Sequence, residues 1–172
     1  MDVVTGPDSI RREAFCRMVE TYQTALLRSC YLILRDRGMA EDAVQETFLK
    51  AYRAGDSFRS QCSEKTWLMR IAVNTCRDMR RRAWFRYIDR RVTPEDLPEA
   101  SAPFTARDDS LTQAMMALPQ KEKEALLLYY YHDMTVTEIG ESLHLSASTV
   151  SHRLKRGRER LKALLEGDEQ DE

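Results

Sequence analysis

Six cations crowd one stretch near the C-terminus: Arg153, Lys155, Arg156, Arg158, Arg160 and Lys162 stand against the single acid Glu159. All are protonated at neutral pH, so the chemistry they offer is recognition of a polyanion. Guanidinium forks pair with phosphate or with the O6/N7 edge of guanine. A helix built only to pack would intersperse more acids at i, i+4. Polar Ser148, Thr149, Ser151 and His152 come just before, at the positions that meet base edges when a helix enters a major groove. A second cationic stretch, residues 70–91, holds eight arginines against Asp78 and Asp89. The net charge is nevertheless −1, because acids gather elsewhere: Glu95, Asp96, Glu99, Asp108 and Asp109 between the basic stretches, and residues 166–172 after them. Charge segregated in this way points to two nucleic-acid contacts on separate modules.

Nothing comparable points to catalysis. There is no glycine-rich phosphate loop, H-E-x-x-H or G-x-S-x-G, so the chain reads as non-enzymatic. The four cysteines (16, 30, 62, 76) show no C-x-x-C and lie far along the chain from the three histidines. No cofactor, metal site or disulfide framework is expected, and a reducing cytoplasm fits better. No leader or apolar run of membrane-spanning length is evident.

The elements that must position these groups are helical. Ile139 and Leu143 stripe a short helix, Val150 and Leu154 stripe the next, and Leu145 lies between them to plug their angle. Gly140 is small enough to let the second helix approach, and Ser146 or Ser148 can cap it. His144 stands at the turn where glycine is usual; histidine is among the side chains enriched at positive φ. That is a helix-turn-helix, with the cations on its second helix. Upstream, Phe15, Met18, Val19, Tyr22, Leu26, Cys30 and Ile33 predict a long first helix, interrupted near Arg37-Gly38. A second runs from about Ala40 to Ala54, with an acid-rich start favoured by the helix dipole. Residues 55–63 read as a loop, and Ser63 caps a third helix bearing Trp67, Leu68, Ile71, Ala72, Thr75 and Met79. Pro94, Pro98 and Pro103 exclude a continuous helix over 92–107, a linker. A second helical module follows: 110–118, Pro119 as a stop, 121–132, then the helix-turn-helix. The fold class is all-α: two small helical domains joined by a flexible linker.

The polar loop before the third helix carries Phe58 beside an arginine-rich helix, an arrangement that can stack on an unpaired base. Trp67 shares the apolar stripe with Ile71 and reads as core; Phe58 fits either role, and Asn74 can bond a base edge or the backbone.

Taken together, the two halves resemble a bacterial sigma factor of the extracytoplasmic-function group. The first is similar to sigma region 2 in Ala40-Glu-Asp-Ala-Val-Gln-Glu-Thr-Phe-Leu-Lys-Ala-Tyr52, Phe58-Arg, and Thr66-Trp-Leu-x-Arg-Ile-Ala-x-Asn74 with Asp78 after it. The second is similar to sigma region 4 in Leu118-Pro, Glu122-x-x-x-Leu126, Glu138-Ile, Ser148-Thr-Val-x-x-Arg-Leu154 and Arg158-Glu-Arg-Leu161. The resemblance implies region 2 over 8–91, a linker over 92–107, region 4 over 108–166 and an acidic, solvated tail over 167–172. It also implies docking of Asp42, Gln45, Glu46 and Leu49 on the clamp helices of core RNA polymerase, with a second contact at the flap. Phe58, Arg59, Ser60, Gln61, Ser63 and Asn74 would capture a base flipped from the promoter −10 element, and Arg77, Arg80 and Arg81 would hold phosphates near the melting point. Ser148, Thr149, Ser151, His152, Arg153, Lys155 and Arg156 would read the −35 element. An anti-sigma protein, membrane-bound or soluble, is the implied regulator. Two departures stand out: Ser148 occupies a position where the family often has glycine, and Ser151 one that is often basic. A bidentate guanine contact would then fall to Arg153 or Arg156. The rival readings are a stand-alone helix-turn-helix regulator, in which the Asp42 face and the Phe58 loop have no task, and a protein-interaction module, which needs neither basic stretch.

Overall fold

Helix α1, Pro7–Leu34, starts on a proline, whose missing N–H costs nothing in a first turn. The computed structural model describes residues 7–54, 58, 61–89 and 109–168. Helix α2 spans Arg37–Ala54 and α3 Glu64–Asp89. Leu26, Cys30 and Ile33 of α1, Ala43, Val44, Phe48 and Ala51 of α2, and Leu68, Met69, Ala72, Val73 and Cys76 of α3 are all buried, giving a three-helix unit. Phe15 closes its far end, edge-on to Phe48 and Tyr52 at 6.2 and 4.9 Å. The Cys76 thiol is pushed far up by its hydrogen bond with Cys30 and by burial, which keeps it as inert core sulfur.

The break after α1 falls earlier than the glycine suggested. Arg35 takes the left-handed conformation at φ 59°, and Asp36 caps α2 by accepting from the Met39 N–H at 2.8 Å. Gly38 is simply helical. The first turn of α2 therefore has no acid; Glu41 and Asp42 lie a turn later, and the Asp36 carboxylate supplies the charge the dipole favours. Ser63 caps α3 as expected, accepting from the Thr66 N–H at 3.0 Å.

The second unit comprises α4 (Asp109–Ala117), α5 (Gln120–Leu126), α6 (Val136–Leu143) and α7 (Ala147–Asp168). Pro119 stops α4 and also starts α5, its carbonyl accepting from Glu122 and Lys123. Beyond Leu126 the helix widens into a π-helical segment, Leu127–Tyr131, which the apolar periodicity did not announce. It turns Leu128 into the core and leaves Tyr129, Tyr130 and Tyr131 exposed. Among the described residues there is no strand. The linker at 92–107 and tail residues 169–172 lie outside those described, but Gly167 and Asp168 still belong to α7. The two units are helical as expected and packed on one another: α3 meets α6, α1 meets α5, and their buried apolar residues form one cluster.

Candidate nucleic-acid interface

Thr135 opens α6 with a capping box: its hydroxyl accepts from the Glu138 N–H, and the Glu138 carboxylate accepts from the Thr135 N–H. His144 ends α6 in the left-handed conformation, φ 56° and ψ 49°. The Gly140 carbonyl accepts from both His144 and Leu145, which bends the chain into the turn. A Cβ on Gly140 would lie 2.7 Å from the Leu145 carbonyl oxygen, so the absence of a side chain is what permits this approach. Of the two candidate caps, Ser146 holds α7 by accepting from the Thr149 N–H at 3.2 Å. Ile139, Leu143, Val150 and Leu154 are buried, so both helices present their polar faces outward.

On α7, Ser148, Ser151, His152 and Lys155 are exposed and recur at helical spacing along one face; Thr149 and Arg153 are half-buried. Three other cations, though not buried, have partners on the preceding segment. Arg160 reaches the buried Glu122 carboxylate at 2.7 Å, Arg156 approaches it at 3.7 Å, and Arg158 donates to the Tyr130 hydroxyl at 3.1 Å. Among the described residues Arg153 and Lys155 form no ion pair. The cationic run thus splits into a set without partners on the preceding segment and a set that links α7 to α5 and to the π-helical segment, a division that spacing alone did not reveal.

Three arginines of α3 face the second unit. Arg70 pairs with Glu141 at 2.9 Å, Arg77 donates to the Leu143 carbonyl at 3.3 Å, and Arg80 lies 3.7 Å from the buried Glu124. Arg81 pairs within its own helix with Asp78. Asn74 is half-buried on the same helix, and Gln61 is exposed. Phe58 packs its ring against Trp67 at 5.1 Å, so the base-stacking aromatic and the core aromatic are neighbours. The Ser63 hydroxyl is committed to capping; Arg59 and Ser60 lie outside the described residues.

Sequence reasoning missed the contacts that join the units. Ser29 of α1 and His132, both buried, meet Oγ to Nε2 at 2.7 Å. Ser29 donates its one proton to the Ala25 carbonyl, so the histidine must donate Nε2–H and leave Nδ1 bare and buried. Burial, and then the Lys65 ammonium, lower the His132 pKa to about 4. Lys65 itself bonds the Tyr131 carbonyl at 3.2 Å and the Asp133 carboxylate at 3.4 Å. Burial also lowers the Lys123 pKa to about 8, where its ammonium donates to the Met116 carbonyl. The one sequence signal for this interface was His132 itself, a titratable residue ending an apolar run.

On α2 of the first unit, Asp42, Gln45 and Leu49 are exposed, and Glu46 pairs with Lys50 at 2.9 Å. Beside them Phe15, Val19, Leu27, Val44 and Phe48 line an open groove of about 480 Å³. Gln23, Glu41 and Gln45 add polar groups to this apolar trough, a combination that suits a partly apolar partner surface.

Two docked helical units, one ending in a helix-turn-helix with a cationic second helix, define a class of helical DNA-binding architecture. The description Sigma-70 region 2 matches residues 18–86, and Sigma-70, region 4 matches residues 108–161. The chain is 32% identical over 168 residues to the ECF RNA polymerase sigma factor SigW of Bacillus subtilis, covering 90% of each. Among solved structures, CnrH in complex with the cytosolic domain of CnrY is 26% identical with a TM-score of 0.63, covering 91% of this chain and 90% of that one. The sigma factor RpoE in complex with the anti-sigma factor NepR, from Bartonella quintana, shares the fold at a TM-score of 0.74 and 24% identity, covering 90% of this chain and 98% of that one. The chain belongs to the sigma-70 family of RNA polymerase sigma factors, within its extracytoplasmic-function group. Its function is therefore that of a sigma factor, and the stand-alone regulator is set aside.

Proposed function

We propose that residues 8–91 dock core RNA polymerase and open the −10 element, while residues 108–166 read the −35 element. The chain itself brings no catalytic group and works in the cytoplasm as a specificity subunit. The observation that carries the reading is the exposed face of Ser148, Ser151, His152 and Lys155 at the start of a helix whose opposite side is buried. Arg153 is the candidate for a guanine, because Arg156 is drawn back toward Glu122. Docking falls to Asp42, Gln45, Glu46 and Leu49, supported by the exposure of Asp42, Gln45 and Leu49 and by the place of Gln45 and Leu49 in the lining of the α1–α2 groove. Phe58 and Asn74 take the flipped base, and Arg77, Arg80 and Arg81 the phosphates around it.

An anti-sigma protein is the proposed regulator, since RpoE and CnrH are both solved with protein partners. A largely apolar groove of about 710 Å³ between α1 and α7, with Tyr31, Leu32, Met115, Leu127, Leu161 and Leu165 among its lining, is of a size to take a partner helix.

The test is run-off transcription with purified core polymerase, mapping the start site. Discrete new starts are expected with the intact chain. Arg153→Ala should weaken −35 recognition about 10-fold or more while core binding persists. Loss of core binding by that variant would refute the division of labour.

A further inference from the structure

Glu122 of α5 is buried, and both of its carboxylate oxygens meet arginines of α7. Oε2 accepts from Arg160 at 2.7 Å, and Oε1 lies 3.7 Å from Nε of Arg156, one turn earlier on the same helix. Between the two arginines stands Gly157, which is buried. A Cβ there would come within 3.0 Å of the Leu126 side chain and 3.4 Å of the Glu122 Cβ, so α5 crosses α7 close against its backbone at this point.

The two arginines stand in different relations to that carboxylate. The Arg160 bond alone meets what packing requires, a charged donor at full hydrogen-bond distance from a buried acid. Arg156 adds no such bond, since 3.7 Å is beyond hydrogen-bond range. It feels the attraction all the same, and burial of the carboxylate leaves that attraction less screened than in an exposed pair. The Arg156 side chain is half exposed; it follows Lys155 and stands one turn after His152, at the border of the face that reads DNA. A guanidinium placed there is suited to a guanine edge, and Glu122 draws it the other way.

We propose that Glu122 is a positioning residue that sets specificity at the −35 element: it holds Arg156 off the duplex and leaves base reading to Arg153, which forms no ion pair among the described residues. The inference rests on the reading of that element by α7 proposed above. Neutralising Glu122 then releases a second base-reading arginine and adds a preference instead of deleting one.

The test is promoter selection by core RNA polymerase carrying the full chain. The pool is a set of duplexes randomised across the −35 region of a promoter the wild type starts from, and the bound duplexes are sequenced. Glu122→Gln should enrich guanine at one further position by about 10-fold, the size of a bidentate arginine contact. Adding Arg156→Gln should abolish that enrichment, whereas Arg156→Gln in the wild-type background should have a much smaller effect. Arg160→Gln is the control for loosening of α7, because it removes the shorter bond to the same carboxylate and leaves Arg156 held. Its base preference should match the wild type even where its Tm falls. Three results overturn the proposal: wild-type selection by Glu122→Gln, an added preference that survives Arg156→Gln, or the same added preference in Arg160→Gln. Loss of a guanine preference on Arg156→Gln in the wild-type background also overturns it, and that arm alters only a half-exposed side chain, so it decides even where Glu122→Gln is too unstable to assemble. Should the wild type enrich no −35 sequence, the reading of that element by α7 fails and the proposal falls with it.

Discussion

Gly140→Ala sets two known effects against each other, and the structure decides which wins. Alanine in a helix interior is favoured over glycine by about 1 kcal/mol, so an unobstructed site would be stabilised. Here the new Cβ lies 2.7 Å from the Leu145 carbonyl oxygen, closer than real Cβ atoms come. The obstacle is backbone, and it cannot rotate away. Leu145 is also tied down, since its N–H donates to the Gly140 carbonyl at 2.8 Å. Relief requires moving the turn and with it the start of α7, an overpacking strain of about 1–3 kcal/mol. The net expectation is a loss of up to about 2 kcal/mol, seen as a fall of up to roughly 8 °C in Tm for a chain of this size. Affinity for a −35 duplex should fall too, because the same shift tilts α7. Gly157→Ala is the control: its Cβ would meet the Leu126 side chain at 3.0 and 3.1 Å, and a side chain can give way. Calorimetry on the intact chain should rank Gly157→Ala above Gly140→Ala. A Gly140→Ala protein at least as stable as wild type would refute the close-approach argument.

Asp42→Ala with Glu46→Ala should weaken binding to core polymerase while leaving −35 duplex binding unchanged; sedimentation with core enzyme checks it, and unaltered affinity removes this face from the docking model. Glu122→Gln should cost about 1–3 kcal/mol, since the buried carboxylate takes a charged hydrogen bond from Arg160, and the shift in urea midpoint measures it. Stability should also fall with acid through His132. Its folded pKa is depressed to about 4 from 6.5, so the stabilisation is whole above pH 6.5 and is lost as pH drops toward 4, on the order of 3 kcal/mol in all. Ser29, Lys65 and Asp133 are the groups around it, and His132→Gln should flatten the difference in Tm between pH 7 and pH 4.5.

Most of the helix-turn-helix is legible in the sequence, because each feature is local. Ile139, Leu143, Val150 and Leu154 fall into the core by spacing, and Ser146 and Ser63 cap by type and position. His144 is legible at its turn since few side chains tolerate that backbone. The same rule misleads at Arg37-Gly38. Glycine marks where positive φ is cheap, while all three positive-φ residues described, Arg35, Asp133 and His144, are of other types. There the cap formed by Asp36 fixed the break, at the cost of a strained arginine. The π-helical segment was illegible for a related reason: an apolar run such as Leu126-Leu127-Leu128 has no period to expose a change in pitch.

The partners of the arginines form the deeper gap between sequence and structure. A guanidinium binds a phosphate, a carboxylate or a backbone carbonyl through the same N–H groups. Composition therefore shows that the α3 row seeks anionic or acceptor oxygen, without saying whose. Glu124 and Glu141 lie 44 and 71 residues along the chain from Arg80 and Arg70, and no local pattern connects them. Folding supplies the connection by bringing α6 onto α3. The pairs also differ in depth, which no local pattern records. The Glu141 carboxylate is exposed, so its pair with Arg70 is worth about 0–1 kcal/mol. The Glu124 carboxylate is buried, and leaving it without a partner would cost more, about 1–3 kcal/mol.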